Sequence, residues 1–359
     1  MRGRQEEAPP ESDRFEPAPH PRDTYALFGH REAEAELLEA FRAGRLPQAF
    51  IFGGPQGIGK ATLAWRLARF LAAHPDPGAP EVSRADTLGV DPDHPAARKL
   101  ASLAFGDLAL LRRGWNEKTK KHATRIAVED VRRMLRLFEQ AAAGGGWRMA
   151  IVDSADDLNA ASANALLKMI EEPPQRSLFL LVAHQPGRIL PTIRSRCRTL
   201  MLHPLSDEDL RAATRAACAA GAIAADEARL AAACARAEGA PREALRLLSA
   251  ADARFDAQLV RALGLLPGID WALVHTVADS VAADETAFDA LLAGVFGWLG
   301  AAVRSKRDFG PRAVAPYAEA WEQLERESRE LAILNLDKRA FTVLTFDLLT
   351  KTARAAGGT

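Results

Sequence analysis

The segment GPQGIGKAT at residues 54–62 carries Gly54, Gly57, Gly59 and Lys60 on a short stretch of chain. Residues without Cβ let a backbone wrap closely around phosphate. Its N–H groups and the dipole of the helix that follows then hold the anion. Lys60 adds a point charge for the outer phosphates. The pattern G-x-x-x-x-G-K ordinarily continues into Ser or Thr, whose hydroxyl ligates Mg²⁺. Ala61 stands at that position and Thr62 comes one residue late. One helical step turns Thr62 about 100° away from the hydroxyl's place. Phosphate binding is therefore expected, with metal-assisted turnover compromised. A plain Gly-rich turn before a helix would explain only the glycines.

Two further clusters bear chemistry. MAIVDSADDL ends an apolar run at Asp153, the place for a carboxylate that holds Mg²⁺ through water. Ser154 follows, where a hydrolase would place a glutamate to orient the attacking water. Asp156 and Asp157 lie further on, and helix capping accounts for them equally well. PTIRSRC sets Arg194 and Arg196 just past a core strand. A planar guanidinium suits phosphate, and an ordinary surface ion pair explains the arginines as well. NEKTKKHATR is the densest basic run, with Lys118, Lys120, Lys121 and Arg125. These could meet nucleic-acid phosphates; a solvated loop or hairpin fits too, and no aromatic is interleaved for base stacking.

The elements that position these groups follow from periodicity. HREAEAELLEAFRAG puts Ala33, Leu37, Leu38 and Phe41 on one helical face, closed by Gly44. QAFIFG is a buried strand feeding the Gly-rich loop, and KATLAWRLARFLAA is the helix after it. AVEDVRRMLRLFEQAAA reads as a helix broken by GGG at 144–146. WRMAIVD, SLFLLVA and TLMLHP read as strands, and NAASANALLKMIEE as a helix stopped by Pro173 and Pro174. Alternation of this kind predicts a parallel sheet covered by helices. After Pro204 only helical patterns remain, opened by a capping pattern from Ser206 to Asp209. The expected division is a disordered tail over 1–23, an α/β phosphate-loop domain over 24–204, a small three-helix lid over 205–250 and an all-helical domain over 251–359. Residues 74–110 show weak periodicity and no internal repeat is visible.

Composition narrows the class. The chain has 359 residues, with Lys+Arg and Asp+Glu equal at 47 each, so no global charge draws it to nucleic acid. The three cysteines, Cys197, Cys218 and Cys234, form no C-x-x-C pair. Free thiols in a reducing cytoplasm are expected. The N-terminus is proline-rich and charged, without the apolar core of a secretory signal. No apolar run is expected to reach the roughly 18 residues of a membrane span.

GPQGIGKATLA, NALLKMIEEPP and RSRC, in that order and with strands between them, resemble the clamp-loader branch of the AAA+ family. The likeness covers roughly residues 25–250 and, more weakly, the helical C-terminus. It implies an α/β nucleotide-binding domain, a three-helix lid and a helical collar that assembles a ring of five subunits. By the resemblance, Gly54, Gly57, Gly59, Lys60 and Thr62 form the phosphate loop, Asp153 is the acidic strand end, and Arg242 in GAPREAL is the lid's sensor arginine. Arg196 of Ser195-Arg196-Cys197 is the residue that reaches a neighbouring subunit's nucleotide. Ala183 and His184 do not supply the expected threonine sensor. The four-cysteine zinc module of many relatives is not expected, because no cysteine precedes Cys197, and no other metal site is expected.

The resemblance thus implies a non-hydrolysing subunit that binds ATP or ADP weakly if at all. It would complete a neighbour's ATP site through Arg196 and help load the sliding clamp onto primer-template DNA. Its partners would be the ATPase subunits and delta of a hetero-pentamer within a polymerase holoenzyme, with no membrane. The alternatives are an ATP-hydrolysing motor subunit or another AAA+ ATPase, and a nucleotide-sensing adaptor unrelated to replication.

Overall fold

The computed structural model describes residues 9–16, 18–139, 146–306, 310–334 and 336–357. The chain forms two compact units, Met1–Leu245 and Arg246–Thr359. In the first unit α1 (Arg31–Arg42) precedes β1 (Ala49–Gly53), α2 (Lys60–Ala73), α3 (Pro80–Arg84) and α4 (Pro95–Ala101). Then come β2 (Leu108–Leu111), β3 (Trp115–Asn116), β4 (Lys121–His122), α5 (Val128–Leu135), β5 (Arg148–Asp153) and α6 (Ala160–Glu171). The unit continues through β6 (Ser177–Ala183), α7 (Pro191–Arg194), β7 (Arg198–Met201), α8 (Asp207–Ala220) and α9 (Glu227–Arg236). Helix α10 (Pro241–Leu248) spans the division between units. The second unit holds α11 (Ala250–Gly264), α12 (Trp271–Ala283), α13 (Glu285–Lys306), α14 (Pro311–Leu334) and α15 (Lys338–Gly357).

Five strands form one parallel sheet in the order β2-β5-β6-β1-β7. The central strands read as unbroken apolar runs because both faces are covered. Side chains alternate across them with a period of two. Phe50, Phe52, Met149, Ile151, Leu178 and Leu180 pack with Leu37, Leu63 and Leu67 on one side. Ile51, Ala150, Val152, Phe179 and Leu181 pack with Val131, Leu166 and Ile193 on the other. The registers Gly53↔Ala183 and Asp153↔Val182 bring the carboxyl ends of β1, β5 and β6 level. Ligands of open α/β sheets lie beyond such ends, where the strand order reverses.

Helices α8 and α9 and the start of α10 belong with the sheet in one unit, around a small core of Leu205, Leu210, Leu230, Cys234 and Ala244. The Ser206 hydroxyl accepts from the Asp209 N–H, as the capping pattern predicts. The weakly patterned stretch 74–110 contains α3, α4 and the edge strand β2, which is short and only partly buried. Helix α5 ends early and continues as a 3-10 turn over Arg136–Glu139. The rest of that predicted helix, over 140–143, lies outside the described residues, as do Gly144 and Gly145 of the breaking GGG.

Two expectations fail. Residues 9–16 and 18–23 of the expected disordered tail belong to the first unit, because Glu11 and the buried Asp13 find a countercharge in Arg112, far along the chain. Residues 1–8 and 17 lie outside the described residues. Helix α13 contains a segment, Ala287–Lys306, long and apolar enough to cross a membrane by length and composition alone. Glycine and alanine dilute the run to the eye. One face of the helix, Leu291, Val295 and Leu299, is buried in the second unit's core.

Candidate functional site

The Gly-rich loop leaves β1 and enters α2 through three glycines with positive φ: Gly54 at 139°, Gly57 at 79° and Gly59 at 104°. L-residues rarely adopt such values. At two of them close approach adds a second demand. A Cβ on Gly54 would run into the Leu202 carbonyl, and one on Gly57 would stand 2.5 Å from Arg242 Cβ. The Arg242 N–H also donates to the Gly57 carbonyl at 3.3 Å. The loop is thereby tied both to the segment after β7 and to the start of α10.

Lys60 is 3% exposed. Its ammonium donates to the Gly54 carbonyl at 2.7 Å and to the Pro55 carbonyl. Burial pulls its pKa down to about 8, against the opposing charges of Asp153 and Asp156. Ala61 packs against the apolar core beside Leu63 and Ala64. Ala61 is partly buried and also borders the cavity, where its methyl group offers no oxygen to a metal.

Asp153 ends β5 and faces the same cavity. Burial pushes its carboxyl up to about 7, the charge of Asp13 adds to this, and Lys60 opposes it. Ser154 is buried, with its hydroxyl 3.5 Å from Asp157. Asp157 pairs with Arg113 at 3.3 Å. Asp156 accepts from the backbone N–H groups of His184 at 2.6 Å and Gln185 at 2.8 Å. It pins the end of β6 to the turn after β5. The expected capping of a following helix is not what Asp156 does: it bonds backbone N–H groups just after β6, 28 and 29 residues away. Burial and the nearby Lys60 charge hold the His184 imidazole below its ordinary value. His30, in the αL conformation before α1, has Nε2 2.7 Å from the Ile58 carbonyl.

Gly57, Gly59, Lys60, Thr62, Asp153 and Arg242 line one cavity of about 620 Å³, within the size range of ligand sites. Its glycine cradle and buried lysine fit a phosphate. Position 61 supplies no oxygen to a Mg²⁺ ion there, and of the candidate site residues Asp153 and Thr62 are the oxygen-bearing ones that line the cavity. Among the described residues no group of three or more His, Cys, Asp or Glu is placed to hold a metal ion. The three cysteines are free, and burial pushes the Cys197 thiol up to about 12.

The fold brings the other candidates elsewhere. Arg196 lies beyond α7, exposed, with its guanidinium 2.9 Å from Glu171 and bonded to the Thr192 carbonyl. It is not among the residues lining the cavity. Lys118, Lys120 and Lys121 sit on the β3–β4 hairpin, where Lys120 pairs with Glu117 at 2.6 Å. Arg125 donates to the Asp156 carbonyl at 2.8 Å. Sequence reasoning missed the cavity's outer wall: Ser12, Asp13 and Phe15 from the N-terminal segment, with Arg113. The adjacent charges at Glu11 and Asp13 and at Arg112 and Arg113 were the available signal, but nothing in the sequence pairs segments about a hundred residues apart.

A family model described as DNA polymerase III, delta subunit, matches residues 29–206. The DNA polymerase III subunit gamma/tau of Mycobacterium tuberculosis strain H37Rv is 30% identical over 265 residues, 73% of this chain and 43% of that protein. The delta' subunit of Pseudomonas aeruginosa is 35% identical over 149 residues, 42% of this chain and 41% of that one. The delta' subunit of Escherichia coli K12 is 30% identical over 171 residues, 47% and 46% respectively. The chain thus spans less than half the length of the curated relatives it matches. With a phosphate loop at the carboxyl edge of a parallel sheet, these matches place the chain in the AAA+ clamp-loader family of DNA polymerase III delta' and gamma/tau subunits.

Proposed function

We propose that this chain acts as a delta-prime-type subunit, a non-hydrolysing arm of a clamp loader that supplies Arg196 to a neighbour's ATP site. The observation that carries this reading is the pair Ala61 and Ser154. One is a methyl group at the cavity, partly buried against the core; the other is buried with its hydroxyl toward Asp157. Ala61 offers no metal ligand and Ser154 no carboxylate to orient water, while Gly54, Gly57, Gly59, Lys60, Thr62, Asp153 and Arg242 keep a cradle suited to ATP or ADP. Arg196 is exposed and away from its own cavity, which suits service to another subunit. Its pairing with Glu171 is between groups 42% and 38% exposed. Such a pair is worth about 0–1 kcal/mol, so turning the guanidinium outward costs little.

On this reading the partners are ATPase subunits and delta in a hetero-pentamer. The sliding clamp and primer-template DNA are met through the assembly, in the cytoplasm, with Lys118, Lys120, Lys121 and Arg125 as a basic edge for phosphates. The helical second unit serves as the collar. The test is steady-state ATPase of the reconstituted ring. The isolated chain should not turn over ATP. Arg196→Ala should leave assembly intact and lower turnover at the neighbouring site by about 10³ or more. Unchanged ring turnover refutes the role of Arg196.

A second reading, an ATP-hydrolysing motor subunit, is favoured by the gamma/tau match, which covers 73% of this chain against 42% and 47% for the delta' matches. It requires turnover by the isolated chain that is lost in Lys60→Ala.

A further inference from the structure

We infer that residues 11–16 form a latched wall of the nucleotide cavity that slows release of a bound nucleoside di- or triphosphate. The inference rests on the nucleotide-binding reading of that cavity. Three observations carry it. First, the segment is clamped. Asp13 stands 2.6 Å from Arg112 and 3.1 Å from His20, and its side chain is fully buried. Glu11 stands 2.8 Å from Arg112 and 2.7 Å from Arg22. Burial alone would raise the Asp13 carboxyl; hydrogen bonding and charge from His20 and Arg112 bring it below its ordinary value.

Second, the segment reaches the groups that would meet phosphate. The Phe15 ring lies 5.1 Å from the Arg242 guanidinium carbon, within cation–π range. Ser12, Asp13 and Phe15 line the same cavity as Lys60 and Asp153. Third, the segment encloses space and does not fill it. The cavity it lines keeps about 620 Å³ in all, enough for a nucleotide-sized ligand.

The clamp is close to electroneutral. Two carboxylates face two guanidiniums, so the wall brings no net negative charge toward a phosphate. Removing one partner leaves buried charge without compensation, so single substitutions should open it. Arg112 is the better lever, because it follows β2 and belongs to the sheet side of the latch.

The experiment measures dissociation of a fluorescent ADP analogue by stopped flow. It compares the full chain, the chain lacking residues 2–16, and Arg112→Gln. Both variants should release the analogue about tenfold faster or more. Circular dichroism checks that each remains folded, and Arg112→Gln keeps the test valid if the truncated chain does not. Dissociation within about twofold of the full chain in a folded variant overturns the proposal. So does binding by the truncated chain alone, which would make the segment a plug. Absence of binding in all three overturns the retention and the nucleotide reading together. The Arg196 ring assay needs no occupancy of this cavity and stands or falls separately.

Discussion

Lys60→Met should stabilise the chain without ligand, and by an amount that depends on pH. The wild-type ammonium is 3% exposed and its pKa falls from 10.5 to about 8. A lysine with a depressed folded pKa binds its proton less tightly when native than when unfolded. Stability therefore rises as pH climbs from the folded value to the unfolded one. At about pH 7 the charged native lysine opposes folding by about 3 kcal/mol, taking 1.36 kcal/mol per pKa unit. At about pH 9.5 the same linkage leaves about 1.4 kcal/mol. The variant also loses two hydrogen bonds, to the Gly54 and Pro55 carbonyls. The neutral amine keeps two N–H donors for these carbonyls, so that loss is common to both conditions and the decisive quantity is the change in ΔΔG between them. It should be about 2 kcal/mol, with the variant's advantage larger at the lower pH. All three cysteines, Cys197, Cys218 and Cys234, lie in the first unit. Pulsed thiol labelling across a urea series therefore reads the unfolding of that unit alone. A ΔΔG equal at both pH values would refute the desolvated-lysine account.

The remaining expectations concern the loop and its frame. Gly54→Ala combines a φ of 139° with a Cβ driven into the Leu202 carbonyl. It should cost about 2 kcal/mol or more by urea denaturation and abolish nucleotide-analogue binding, whereas Gly44→Ala, with open space around it, should spare binding. Asp156→Ala removes the acceptor for the His184 and Gln185 N–H groups. It should cost about 2 kcal/mol and speed amide exchange at residues 184–185. Unchanged exchange there would show that β6 is held by other contacts.

The sequence alone determined the class of sheet and the place of the Gly-rich loop. Unbroken apolar runs at 49–53, 148–153 and 177–183 are what doubly covered parallel strands require. Three glycines and a lysine marked the loop between strand and helix, and all three glycines take positive φ there. The losses at Ala61 and Ser154 were legible too, because one missing functional group is visible in a single letter. Tertiary structure decided what depends on partners distant in the chain. Asp156 reads as a local cap, yet its N–H partners lie 28 and 29 residues away. Glu11 and Asp13 read as a solvated tail, because charged, proline-rich composition describes only what a segment can bury by itself. Arg112, about a hundred residues on, supplies the countercharge that folds it against the cavity. Period and composition report local preference; pairing across such a distance is fixed only when the sheet brings β2 beside β5.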